Sequence, residues 1–203
     1  MREKIQKEIE KRIALMQSGY VFSAKDFADI STQDAANQAL SRLDKEGRIR
    51  RIIRGFYYVA EYSELIGEYS APRMDMVAEA MARKFNWSIA PSGNTALNML
   101  GLSTQVPFTW SYVSDGPNRE YDINSNILTF KRVKQSEISG FHRITVTVIQ
   151  AIRAIGREYI TSKHKNILKN NLSCQDKKIV LSESKIASSW IVDIIKEICA
   201  GEK

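Results

Sequence analysis

The segment that most constrains the fold runs from Ser31 to Tyr58, where a helical pattern starts directly after a break and is followed at once by a cationic hairpin pattern. Ser31-Thr32 supplies hydroxyl caps for a helix over Gln33 to Lys45. Within that helix Ala36, Ala39, Leu40 and Leu43 recur at spacings of three and four, so they form one buried stripe. The opposite face carries Asp34, Asn37, Gln38, Ser41, Arg42 and Lys45. Gly47 closes the last turn. Arg48 to Ala60 then holds two apolar and aromatic runs about a central Arg54-Gly55, the pattern of a β-hairpin. Its alternation fails at Arg50-Arg51 and Ile52-Ile53, which is compatible with a bulge and leaves the register open.

Upstream, Ile5, Ile9, Ile13 and Leu15-Met16 recur at helical spacing, which predicts an amphipathic helix from Arg2 to Gln17 ended by Gly19. Tyr20-Val21-Phe22 is a short extended run, and Ser23 caps a second predicted helix, with Asp26 as box partner and Phe27 and Ile30 inward. Helix, extended run, helix, tight break, polar-faced helix and basic hairpin make up the order of a winged helix-turn-helix, expected over residues 1–60. Taken singly, a basic hairpin is an edge protected by charge and a polar helix face is a surface. Taken together they predict a face for duplex DNA: Ser31, Thr32, Gln33, Asn37, Gln38, Ser41, Arg42 and Lys45 from the helix, with Arg48, Arg50, Arg51 and Arg54 from the hairpin. Asparagine, glutamine and arginine pair with adenine and guanine edges, so Asn37, Gln38 and Arg42 are placed at bases. The hairpin arginines are placed on phosphates or in the minor groove. Residues 1–60 hold twelve Lys/Arg against eight Asp/Glu, a real but modest excess.

Composition agrees and narrows the classes. With 203 residues, 43% hydrophobic and 26% charged, the chain has the balance of a folded protein and can form two compact units. A net charge of +7 and a pI near 9.4 favour polyanionic partners. No apolar run approaches the roughly 20 residues that span a bilayer, and the mixed-charge start lacks the form of a signal or transit peptide, so a cytoplasmic protein with no membrane partner is expected. Cys174, Cys199, His142 and His164 lie too far apart for a zinc site of ordinary spacing, and the thiols are expected reduced; no metal or cofactor is anticipated. Neither a triad, a paired-carboxylate motif nor a phosphate-loop signature stands out, so the chain is not read as an enzyme.

Further along, Tyr62 to Ala71 is polar and tyrosine-bearing and ends at Pro72, which marks 61–71 as a linker and 72–203 as a second domain. Met74, Val77, Ala78, Met81 and Phe85 fall on one face of a helix to about Asn86. Trp87 to Ala90, Phe108 to Ser114 and Ile127 to Val133 are predicted strands, with a turn at Asp115 to Asn118 and a short helix over Asn94 to Leu100. Ile144 to Thr147 is compatible with a strand that continues as a helix capped by Thr147, and the two are hard to separate there. From Thr161 the chain is helical and basic, closing with Ile186, Trp190, Ile191, Ile194, Ile195 and Ile198 as an apolar face. The expected class is α+β: a winged helix-turn-helix, then a mixed α/β domain with a small sheet and terminal helices.

Asn37 through Tyr57 resembles the winged helix at the head of the AbiEi-like antitoxins of type IV toxin–antitoxin systems, which act in abortive infection, a form of phage defence. The stretch from Gly93 to Pro107 and Ser114-Asp-Gly-Pro117 is similar to the second domain of that family, so the likeness covers about residues 20–135. It implies an antitoxin that neutralises a nucleotidyltransferase-like toxin, with or without a stable complex, and represses its own operon by binding operator DNA, where a dimer would pair half-sites. Arg153, Arg157, Lys163, Lys165 and Lys169 are candidates for the toxin-neutralising surface, although such a run also suits a solvated face. A winged-helix repressor without antitoxin activity, its second domain serving dimerisation or effector sensing, is the alternative.

Overall fold

The computed structural model describes residues 2–65 and 67–200. Helices and small sheets alternate through the described residues and four helices follow the last strand, a mixed α and β architecture as expected. The chain divides into two compact units, Met1–Trp87 with Ile123–Ser125, and Ser88–Asp122 with Asn126–Lys203.

In the first unit α1 (Arg2–Ala14) leads to β1 (Val21–Phe22), a 3-10 turn (Ala24–Phe27), α2 (Gln33–Lys45), β2 (Arg50–Ile53) and β3 (Phe56–Tyr58). The strands form an antiparallel sheet in the order β1-β3-β2, with Val21 opposite Tyr58 and Arg51 opposite Tyr57. The register slips between Arg51 and Ile53, the irregularity that the broken alternation allowed. Ile9 and Ile13 of α1 join Phe22, Phe27, Ala36, Ala39, Leu40, Leu43, Ile49 and Tyr57 in one core. Each large aliphatic buried there contributes about 1.5–3 kcal/mol, and the small Ala36 and Ala39 leave room for packing across the same stripe.

Two local expectations are corrected. α1 stops at Ala14 because the amides of Leu15 and Met16 turn back onto carbonyls three residues earlier, Arg12 at 3.2 Å and Ile13 at 2.9 Å. The helix predicted from Ser23 is only a 3-10 turn, because Ser23 N and Oγ both donate to Asp26 Oδ2 and the extended cap Thr32 follows too soon for further α turns.

The stretch expected as a linker, 61–71, contains a second hairpin, β4 (Tyr62–Ser63) paired with β5 (Glu68–Tyr69). Its aromatic rings meet edge to face at 5.1 Å, and Tyr58 Oη donates to the Ser70 carbonyl at 3.0 Å, so the segment is tied down rather than free. The next helix, α3 (Met74–Phe85), also packs on the first unit. Arg83 donates to Asp26 Oδ1 at 2.9 Å and to the Val21 carbonyl at 2.7 Å, while Lys25 Nζ reaches Asn86 Oδ1 at 2.6 Å. The division therefore falls after Trp87 and not before residue 72.

The second unit runs β6 (Ile89–Pro91), α4 (Gly93–Met99), β7 (Thr109–Ser114), β8 (Arg119–Ile123), β9 (Asn126–Arg132), a 3-10 turn (Gln135–Glu137), α5 (Arg143–Ile155), α6 (Ser162–Asn171), α7 (Cys174–Glu183) and α8 (Ser189–Cys199). The sheet order is β6-β7-β9-β8, with β6 antiparallel and β9 parallel to β7. β8 is absent from the sequence expectation because an edge strand written Arg-Glu-Tyr-Asp shows no apolar alternation. The ambiguous stretch from Ile144 is helix throughout, since His142 caps it and Thr147 Oγ1 bonds the Arg143 carbonyl one turn back at 2.8 Å. β-branched residues are tolerated there because the helix is packed on nearly every side: Thr145 through Ile149, Ala151 and Ile152 are all buried. Its local order, a strand, a 3-10 turn, a brief break and a 13-residue helix, repeats that of β1 through α2, although β9 has seven residues where β1 has two. Among the described residues no helix is long and apolar enough to cross a membrane.

Glu183 closes the start of α5: it accepts from His142 N at 3.1 Å and Thr145 Oγ1 at 2.5 Å, and pairs with His142 Nδ1 at 2.7 Å. Burial raises its carboxyl pKa, but the bonds from Thr145 and His142 outweigh burial and leave it below the ordinary 4.5. A lowered folded-state pKa gives stability that is complete above about pH 4.5 and is lost as pH falls through the lowered value. Glu183→Gln is expected to flatten that part of the acid-unfolding curve, measured by circular dichroism from pH 6 downward.

Candidate nucleic-acid interface

The buried stripe of α2 fixes its rotation, so Gln33, Asn37, Gln38 and Lys45 are exposed and Ser41 and Arg42 half-exposed. Thr32 Oγ1 caps the helix by accepting from Ala35 N, and Ser31 is half-buried in the break before it. Gly47, at φ +72, lets the chain reverse into β2. There Arg51 N donates to Asp44 Oδ1 at 3.1 Å, locking the strand to the end of the helix.

The candidate cations separate into two groups. Three are engaged within the first unit. Arg42 Nη1 donates to Gln6 Oε1 at 3.2 Å and lines a shallow concavity of about 240 Å³ with Ile5, Thr32, Asp34 and Gln38. Arg48 pairs with Glu10 of α1. Arg50 stacks its guanidinium 3.8 Å over the Tyr69 ring of the second hairpin. The alternation of successive strand residues leaves Arg51 on the other face of the sheet from Arg50, toward α2.

Arg51 and Arg54 instead line an open cleft of about 490 Å³ with Asn37, Ser41, Gly55, Tyr57 and Lys84. This cleft unites the polar face of α2 with the tip of the β2–β3 hairpin, and no carboxylate lines it. Arg51 Nε reaches the Ile53 carbonyl at 3.4 Å, and among the described residues neither its guanidinium nor that of Arg54 meets an acid. Burial raises the Tyr57 phenol, against the partial pull of Arg51.

Lys84 was not among the sequence candidates. It lies on α3, 29 residues beyond Gly55, in a segment whose periodicity speaks only of packing. Its ammonium donates to the Gly55 carbonyl at 3.4 Å and sits 4.4 Å over the Phe56 ring, and burial lowers its pKa. A basic residue in the last turn of an amphipathic helix is the sole sequence signal, and that is commonplace.

In the second unit Arg153 and Arg157 are exposed near the end of α5, and Lys163 and Lys169 are exposed on α6. Six residues separate those lysines, which places them roughly 120° apart around the helix. Lys165 is half-buried and bonds Glu197 of α8 at 2.5 Å. No groups of three or more His, Cys, Asp or Glu that could hold a metal ion occur among the described residues.

A family model described as a family of unknown function (DUF6088) matches residues 8–180, which take in the cleft, both hairpins of the first unit and the whole sheet of the second. The chain belongs to the DUF6088 family. No curated protein matches it. In this DUF6088 chain every residue lining the cleft falls inside the matched span.

Gly55 tests the tightness of the hairpin tip. It holds φ +81, and a Cβ built there would lie 2.6 Å from Lys84 Nζ. Gly55→Ala is expected to cost about 1 kcal/mol or more, read as a lowered midpoint in chemical denaturation of the whole chain.

Proposed function

We propose that the first unit is a winged helix-turn-helix that binds duplex DNA, with α2 in the major groove and the β2–β3 hairpin as the wing. The observation that supports this reading most is the cleft where Arg51 and Arg54 converge on Asn37 and Ser41 with no acid between them. Cations gathered without a carboxylate repel one another, and a backbone phosphate removes that cost by contributing the missing charge. Asn37 then lies where an adenine edge can be read, and Gln38 and Lys45 extend the same exposed face. Arg42 and Arg48 are secondary in this reading, since each already has a partner on α1.

For the whole chain we propose the role implied by the resemblance over about residues 20–135: a cytoplasmic type IV antitoxin that represses its own operon and neutralises a nucleotidyltransferase-like toxin through the later unit. Exposed Arg153, Arg157, Lys163 and Lys169 are the cations there available to an acidic partner. A repressor without antitoxin activity fits the same cleft, and the neighbouring gene separates the two. Co-expressing the full chain with the product of that gene is expected to relieve growth arrest. Persistent arrest with both proteins present would leave the repressor alone standing.

Binding to the region upstream of its own gene can be followed by fluorescence anisotropy across a salt series. The Arg51→Ala, Arg54→Ala double variant is expected to weaken binding to all sequences and to flatten the salt dependence by about two units. Asn37→Ala is expected to cost about 1–3 kcal/mol at one base position only. Unchanged binding by the double variant sinks the assignment.

A further inference from the structure

We propose that Lys84, on a helix outside the helix-turn-helix and its wing, is a phosphate-binding residue that completes a three-cation seat for one DNA backbone phosphate at the junction of α2 and the wing. The proposal rests on the DNA-binding reading above and extends it to α3. Three observations carry it. Lys84, Arg51 and Arg54 line the same cleft, no acidic side chain is among its lining residues, and the nearby Asp44 is engaged by the Arg51 amide. The hairpin tip facing the ammonium is a glycine, and a single added carbon there would fall 2.6 Å from Nζ, so the backbone leaves room for a charged head. Among the described residues, the Lys84 ammonium is anchored by a long 3.4 Å bond to the Gly55 carbonyl and by the Phe56 and Phe85 rings, at 4.4 Å and 5.8 Å.

The surroundings explain how such a lysine is held. Arg83, its neighbour on α3, is fixed by Asp26 and the Val21 carbonyl, and Lys25 bonds the carbonyl of Lys84 itself at 3.3 Å. The backbone of residue 84 is thus pinned to the 3-10 turn that precedes α2. Burial penalises its charged form; an arriving phosphate reverses that effect. A phosphodiester oxygen placed between the three cations would also lie beside Ser41 and Asn37, whose side chains can donate to it. The seat would position the duplex without reading its sequence.

A mixed-sequence duplex of about twenty base pairs is a sufficient probe, because a backbone contact carries no base preference. Wild-type, Lys84→Gln and Lys84→Arg proteins would be titrated with it across a salt series. Lys84→Gln is expected to weaken binding severalfold and to lower the salt slope by about one unit, with Lys84→Arg retaining the slope. In the wild-type protein labelled at lysine Cε, saturation with duplex is expected to move the Lys84 ionisation upward, a readout that does not require a folded variant. A strut holding the hairpin would alter thermal stability yet leave the slope and the duplex-dependent titration unmoved, and that result overturns the proposal. If the wild-type chain shows no salt-dependent affinity, the DNA-binding reading falls as well, whereas binding with an unchanged Lys84→Gln slope removes this seat alone.

Discussion

The rotation of one helix about its own axis governs the first unit. Ala36, Ala39, Leu40 and Leu43 are fully buried in one cluster with Ile9, Phe22 and Phe27, so rolling α2 would expose them. Removing a leucine from such a stripe costs about 2–5 kcal/mol, far above the fraction of a kcal/mol that a surface contact supplies. Because that burial dominates, the outward direction of Asn37 and Ser41 is set by packing rather than by any polar preference of their own. Strand β2 follows from the same constraint, since its Arg51 amide bonds Asp44 at the end of α2.

Charge in this unit is partitioned by what each cation meets. Arg48 is neutralised by Glu10, Arg42 is held by Gln6, and Arg50 rests on Tyr69. The contacts leave the charge of Arg42 and Arg50 in place but fix where it sits, while Arg51, Arg54 and Lys84 share one cleft. A net charge says that anions are attracted; the distribution of partners says where one can be held. The Arg48–Glu10 pair keeps its arginine end in solvent, so its geometric role outweighs its energetic one.

The sequence was readable wherever one face of an element is wet. The 3.6-residue rhythm gave α2 its bounds from Gln33 to Lys45, and the failed alternation at Arg50 to Ile53 pointed to the slip in register. It was unreadable where burial is complete or absent. Helix α5 buries most of its positions and opens on a run of β-branched residues, so its valines, threonines and isoleucines looked like a strand. Strand β8 is an exposed edge, and its charged residues looked like loop. The position of α3 was hidden for another reason: its partners Asp26, Val21 and Lys25 make single polar contacts distant in sequence, and no local pattern encodes them. With α3 went Lys84.

The recurrence of strand, 3-10 turn, break and 13-residue helix in both units sets two fates for one local grammar. On α2 about half the positions answer to solvent, so a substitution at Gln33, Asn37 or Gln38 leaves folding untouched while altering what the surface can recognise. On α5 almost every position answers to a neighbour, and drift there is punished by loss of the fold. A change of surface chemistry therefore costs the fold least along α2, between residues 33 and 45, and most along α5.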